Sequence, residues 1–177
     1  MRFLRENLER FSELTGRAIA WLMVPMVAGT FSVVVLRYVF DSGWIWMQES
    51  TVWLHAAVFM LGGAYTLQRD EHVRVDVFYR DMTLRWRATV DLAGTLLFLL
   101  PMTVFLLVES WDYVAVSWAI REGSREAGGL PYPLTTIYKS FIPAAAILLI
   151  LQAVAVVIRS VLTLASPKTA VSADGGT

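Results

Sequence analysis

Four long apolar stretches, about Ala18–Val39, Thr51–Leu67, Val90–Val116 and Phe141–Leu164, leave this sequence few ways to fold. A helix rises 1.5 Å per residue, so roughly 20 residues cross a hydrocarbon core of about 30 Å. Each stretch lies near that length; the second is the shortest and the third is long enough to tilt. Lipid offers no hydrogen bonds, so a spanning backbone must satisfy its own, and all four stretches are expected to be helices. Of the 177 residues, 56% are apolar and 17% are charged, against about 25% charged in soluble domains. The expected fold class is an all-α membrane protein with four transmembrane helices in one domain, residues 1–165, before a polar tail at 166–177.

The lead before the first stretch places Leu4, Leu8, Phe11 and Leu14 at helical spacing, opposite Arg2, Arg5, Glu6, Glu9, Arg10 and Glu13. That pattern predicts an amphipathic helix in the membrane interface. Acidic residues in the lead and the length of the apolar stretch favour a retained helix over a cleaved signal. Orientation follows from Lys and Arg. Arg2, Arg5, Arg10, Arg17, Arg69, Arg74, Arg80, Arg85, Arg87, Arg159 and Lys168 fall on one side, and Arg37, Arg121, Arg125 and Lys139 on the other, which places both termini in the cytoplasm. Tryptophans prefer the headgroup level: Trp44, Trp46, Trp111 and Trp118 mark the outer interface, Trp21 and Trp86 the inner one, and Trp53 lies slightly deeper. Pro25 and Pro101, each lacking a backbone donor, are expected to kink the first and third helices.

The absence of cysteine excludes a disulfide framework, a thiolate zinc site and an iron–sulfur cluster held by this chain. Zero formal net charge offers nothing to a nucleic acid. Among candidate chemical groups, His55 is the only histidine within a span, read as one turn inside the outer end and hydrogen-bonded to Thr51 or a neighbouring helix; a proton-handling role is the alternative. His72, the second histidine, belongs to the cytoplasmic loop, so a haem with two axial imidazoles is not expected. Glu49 opens the second helix and Arg37 closes the first, within reach of a structural ion pair or of an external partner. Glu109 and Asp112 share one face near the outer end of the third helix, either hydrated or, with Glu49, forming an acidic cluster for a cation.

The run Arg69-Asp70-Glu71-His72-Val73-Arg74-Val75-Asp76-Val77-Phe78 alternates valine with polar residues, which predicts a short extended stretch and lacks a closed metal-ligand spacing. No phosphate loop, nucleophile elbow or zinc motif is present, so neither an enzyme nor a cofactor bound by this chain is expected. Ala28, Gly29 and Ser32, with Ala56, Gly62 and Gly63, permit close helix approach, more simply inside the chain than toward a partner.

Three groups of residues resemble a known family. They are Arg37-Tyr38-Val39-Phe40 followed by Trp46 and Glu49; Gln68-Arg69-Asp70-Glu71-His72-Val73-Arg74-Val75-Asp76; and Gly129-Leu130-Pro131 before Lys139 and Pro143. Together they resemble the small, four-helix DctQ-like membrane subunit of TRAP (tripartite ATP-independent periplasmic) transporters, over nearly the whole chain. The resemblance implies a bacterial inner-membrane accessory subunit. Its partners would be a large membrane subunit carrying the sodium and substrate sites, a periplasmic solute-binding protein that captures carboxylate solutes, and membrane lipids. Arg37, Trp46, Glu49, Arg69, His72, Arg74, Asp76, Arg121, Arg125, Gly129 and Pro131 are the structural or partner-contact candidates. A periplasmic-protein contact is expected at the mixed-charge outer surface of Glu109, Asp112, Arg121, Glu122, Arg125 and Glu126, with flexible Gly123, Gly128 and Gly129; a solvated loop is the alternative. Two rival functions are a stand-alone four-helix proton-coupled antiporter, which needs a carboxylate deep in a span, and a membrane anchor of a respiratory enzyme, which the histidine count disfavours.

Overall fold

The computed structural model describes residues 2–68 and 82–165. Among the described residues the chain is helical, without a strand: α1 (Arg2–Trp21), α2 (Met23–Val39), α3 (Ile45–Gln68), α4 (Leu84–Gly94), a π-helical turn (Thr95–Leu99), α5 (Leu100–Ala119) and α6 (Leu134–Ala165). Three stretches are long and apolar enough to cross a bilayer: Glu13–Val39, Leu84–Ala119 and Leu134–Ala165. The 24-residue α3 is long enough for a crossing but carries Gln48, Glu49, His55 and Gln68. The extended stretch expected around Val73–Phe78 lies outside the described residues.

Several boundaries differ from the expectation, each for a local reason. The lead and the first apolar stretch do not separate at Ala18; α1 continues to Trp21, and the break falls at Leu22. Pro25 sets that point, because its missing N–H would have bonded the Trp21 carbonyl four residues back. Pro101 acts similarly in the third stretch. Ahead of it the helix widens into the π turn, where Leu100 N–H reaches back to the Thr95 carbonyl. The second helix starts at Ile45 rather than Thr51, and the fourth at Leu134 rather than Phe141, with Pro143 inside it. Both extensions are polar first turns that an apolar window excludes. Thr83 caps the start of α4 by accepting from Trp86 N–H at 3.4 Å.

Helix α6 is the central element, packing against α1, α3, α4 and α5. Most of its buried positions are small: Ala145, Ala146, Ala153, Ala155, Thr136 and Ser160 are each at most 4% exposed, beside the larger Pro143, Gln152 and Val156. Short side chains let neighbouring backbones approach closely, which compensates in lipid for a weak hydrophobic drive between helices. By contrast, α2 has no buried residue and leans on α3. Of the small residues singled out in the first two apolar stretches, the three glycines face neighbouring helices, while Ala28 is exposed. A Cβ on Gly29 would lie 3.1 Å from Thr51 Oγ1, and those on Gly62 and Gly63 would touch Ile19 and Leu149 at 4.0 Å.

The tightest approach is Gly16 of α1 against α3, where a Cβ would fall inside the Tyr65 ring, 2.7 Å from the Tyr65 Cβ. Gly94, just before the π turn, has nothing within 4 Å of a Cβ. Gly16→Ala is therefore expected to destabilise the protein by about 1–3 kcal/mol through overpacking. Gly94→Ala should be neutral or stabilising by about 0.5–1 kcal/mol, because glycine weakens a helix interior. Thermal unfolding of the two variants in detergent checks the contrast.

Candidate functional site

The described polar side chains converge most densely at the end of the helices where the segment 120–133 folds over the start of α3. Helix α5 stops in a Schellman motif: Arg121 N–H bonds the Trp118 carbonyl at 3.3 Å and Glu122 N–H the Ser117 carbonyl at 3.1 Å. That motif needs a left-handed residue, and Arg121, at φ 52°, takes the place glycine usually fills. Farther along, the Gly128 carbonyl accepts from Trp46 N–H at 3.1 Å, satisfying one of the free donors that open α3.

Glu49 fastens the loop to α3. One carboxylate oxygen accepts from Leu130 N–H at 2.6 Å and the other from the Ser124 hydroxyl. Ser124 Oγ in turn accepts from Glu126 N–H at 3.1 Å, while Ser124 N–H donates to the Leu130 carbonyl at 2.8 Å. Gly129 lies against this knot, and a Cβ there would stand 2.7 Å from the Glu49 carboxylate and closer still to Ser124. The Gly-Leu-Pro turn thus owes its first residue to a close approach and its second to the N–H that Glu49 captures. Pro131 is exposed, and its carbonyl receives Leu134 N–H at 2.9 Å as α6 begins.

A second knot joins the loop to α6. Lys139 Nζ lies 2.6 Å from Glu122 Oε2, which also accepts from the Ser117 hydroxyl at 2.7 Å. The ammonium sits 4.4 Å from the centre of the Tyr113 ring, a cation–π contact from α5. Buried Thr136 donates to the Glu122 carbonyl at 3.1 Å. Hydrogen bonds from Lys139 and then Ser117 hold the Glu122 carboxyl below its ordinary value of 4.5. Between the two knots lies a cleft of about 780 Å³ lined by Gln48, Val52, Trp53, Arg125, Tyr138 and Lys139 among others.

The structure rearranges the expected pairings. Glu49 is taken by the loop, and Arg37 stands exposed in the last turn of α2 without an ion pair to it. The cause is the closing loop, whose backbone donor Leu130 reaches the carboxylate across a sequence distance no short-range rule anticipates. His55 does not bond Thr51, whose hydroxyl turns back to the Met47 carbonyl at 3.1 Å; the imidazole is exposed and packs on Phe59 at 4.6 Å. Glu109 and Asp112 are exposed on α5, and Glu49 does not join them; the described residues hold no group of three or more metal-ligating side chains. Trp46 is exposed and stacks on Trp44, with ring centres 6.3 Å apart. Arg125 and Gly129 belong to the loop knot or its cleft, and Arg121 to the helix stop. Arg69, His72, Arg74 and Asp76 lie outside the described residues.

Sequence reasoning missed Ser117, Ser124, Thr136 and Lys139 as members of the knots. Only Glu122 and Lys139 carried a usable signal, being opposite charges that flank one loop. Removing the Glu49 carboxylate leaves two donors without their charged acceptor, so Glu49→Ala is expected to lower stability by about 2–4 kcal/mol and Glu49→Gln by less. Because the Glu122 carboxyl is depressed on folding, its contribution is complete above pH 4.5 and is lost as pH falls through the lower folded value. Melting temperature measured against pH should drop on that acid limb, and Glu122→Gln should flatten the drop.

Comparison with known proteins agrees with the family resemblance. Residues 26–163 match the family described as "Tripartite ATP-independent periplasmic transporters, DctQ component". A "C4-dicarboxylate TRAP transporter small permease protein DctQ" from Vibrio cholerae is 32% identical over 95 residues, covering 54% of this chain and 40% of that relative. The chain thus matches less than half the length of that curated relative. No solved structure matches the chain. With most of its length inside the family's boundaries, this chain belongs to the DctQ component family of the TRAP transporters.

Proposed function

We propose that this chain is the accessory small membrane subunit of a sodium-coupled TRAP-type solute importer in a bacterial inner membrane. It braces the large transport subunit and helps dock the periplasmic binding protein. In this reading the chain crosses the bilayer four times with both termini cytoplasmic, and the first turns of α1 lie in the inner interface. The short connection Phe40–Trp44 supports the fourth crossing: it returns α3 alongside α2 and against α6, both of which lie in stretches long enough to span.

One observation carries the accessory role. Secondary transporters build a polar midplane site from broken helices and free acceptors. Here the buried hydroxyls inside the third stretch are already used: Thr95 donates to the Asp91 carbonyl at 2.7 Å, Thr103 to Leu99 at 2.7 Å and Ser110 to Leu107 at 3.3 Å. Sodium and solute therefore belong on the large subunit, and the small chain supplies rigid lipid-facing mass and an outer surface. The relative's printed name makes C4-dicarboxylates the first solutes to assay.

The loop's charges suit docking. Arg121 keeps a side chain where glycine would relieve a backbone penalty of roughly 1–2 kcal/mol, and Arg121, Arg125 and Glu126 are all exposed. Rim charges act mainly on encounter rate. Arg121→Glu with Arg125→Glu should slow association of the binding protein about tenfold at low salt, an effect that fades as salt rises. Stopped-flow binding to the reconstituted complex measures it, and an unchanged rate would remove the loop from docking. For the role as a whole, proteoliposomes holding both membrane subunits and the binding protein should accumulate solute on a sodium gradient, whereas vesicles of this chain alone should not. Uptake by this chain alone, or full activity of the large subunit without it, would sink the proposal.

A further inference from the structure

Resting on the accessory-subunit reading, we propose that the stripe of α3 formed by exposed Val52, His55 and Phe59, with half-buried Gln48 at its outer end, is where a transmembrane helix of the large subunit docks. His55 donates a hydrogen bond across that interface. These residues are spaced three or four apart and so share one helix face. The start of α3 at Ile45 changes the meaning of the histidine: it lies roughly ten residues, or about 15 Å, along the helix rather than at its mouth.

Lipid is a poor neighbour for an imidazole at that depth, and ionisable side chains within spans normally face protein or a water-filled cavity. Among the described residues, His55 has no hydrogen-bond partner; its contact is the Phe59 ring, and both side chains are exposed. The exposed span positions on the other helices are different in kind. On α2 they include Val24, Val27, Phe31 and Val34; along the π turn and α5, Phe98, Met102 and Phe105. Those faces are suited to acyl chains. Glu109 and Asp112 are also exposed on α5, roughly ten and seven residues before its end at Ala119, so α5 carries carboxylates where α3 carries the imidazole.

The shape of the stripe supports the same occupant. At its outer end Gln48 and Val52 line the 780 Å³ cleft, so an apolar track with one polar station opens into a polar recess. A helix that offers a carboxylate or carbonyl oxygen opposite His55, apolar groups beside Val52 and Phe59, and a polar end in the recess meets every part of it. A phospholipid meets the recess and the track but offers no acceptor at the depth of the imidazole.

The chain contains no cysteine, so single cysteines report one place each. In the assembled complex, a lipid-phase spin label or a photo-crosslinker carried on Val52→Cys or Phe59→Cys should be shielded from dissolved oxygen and should crosslink to the large subunit. The same probe on Phe105→Cys should stay lipid-accessible. His55→Leu should reduce co-purified large subunit about three- to tenfold, the range of one interhelical hydrogen bond in membranes. His55→Asn, which keeps a donor, should restore part of the loss. The isolated His55→Leu chain should melt no lower than the parent, which separates an interface role from an internal one. Labels on α3 that remain lipid-accessible in a complex containing the large subunit, or that crosslink to a second copy of this chain, would overturn the assignment and leave the accessory reading standing. Failure of any large subunit to co-purify would instead remove the accessory reading, and this inference with it.

Discussion

The close packing of α6 is the constraint on which the rest of the protein depends. Between helices in a bilayer, little is gained by hiding apolar surface from lipid that is itself apolar, so association rests on contact at short range. Alanine and hydroxyl side chains on α6 make that contact possible with α1, α3, α4 and α5. Most of these hydroxyls are hydrogen-bonded: Thr136 donates to the Glu122 carbonyl, and the threonines and serine of the third stretch return their protons to their own helix. Helix α2, outside this arrangement, buries no residue.

From that packing follows the division between the two ends of the molecule. At the outer end, charges are consumed within the chain, Glu49 by the loop and Glu122 by Lys139, so the loop is a folded extension of the helices. The backbone cost at Arg121 and the close approach at Gly129 belong to the same device. At the opposite end, Arg159 approaches Asp91 at 4.0 Å and Arg85 reaches the Leu164 carbonyl at 3.5 Å, tying α4 to the end of α6. A body held at both ends and closely packed between them suits a brace. Its surface includes an imidazole, His55, that the described body does not satisfy.

How much of this was legible beforehand depended on whether the responsible interaction was local. Helices could be read because a span has only one way to satisfy its backbone. The effects of Pro25 and Pro101 could be read because a missing donor acts four residues away. Family membership was legible in the outer and cytoplasmic motifs and is borne out over residues 26–163. Element starts were read too late at Ile45 and Leu134, since a hydropathy pattern excludes polar first turns. The pairing of Arg37 with Glu49 failed for a related reason: proximity in sequence suggested it, while Leu130 and Ser124 captured the carboxylate from more than seventy positions away.

By itself, then, the amino-acid order determined a helical membrane chain, the positions of its kinks and the family to which it belongs, because those follow from hydropathy, missing donors and short motifs. Tertiary structure decided which carboxylate meets which donor, that α6 rather than the glycine-bearing earlier helices forms the centre, and that His55 looks outward. Such outcomes depend on which faces of distant helices are brought together, a quantity no local pattern contains.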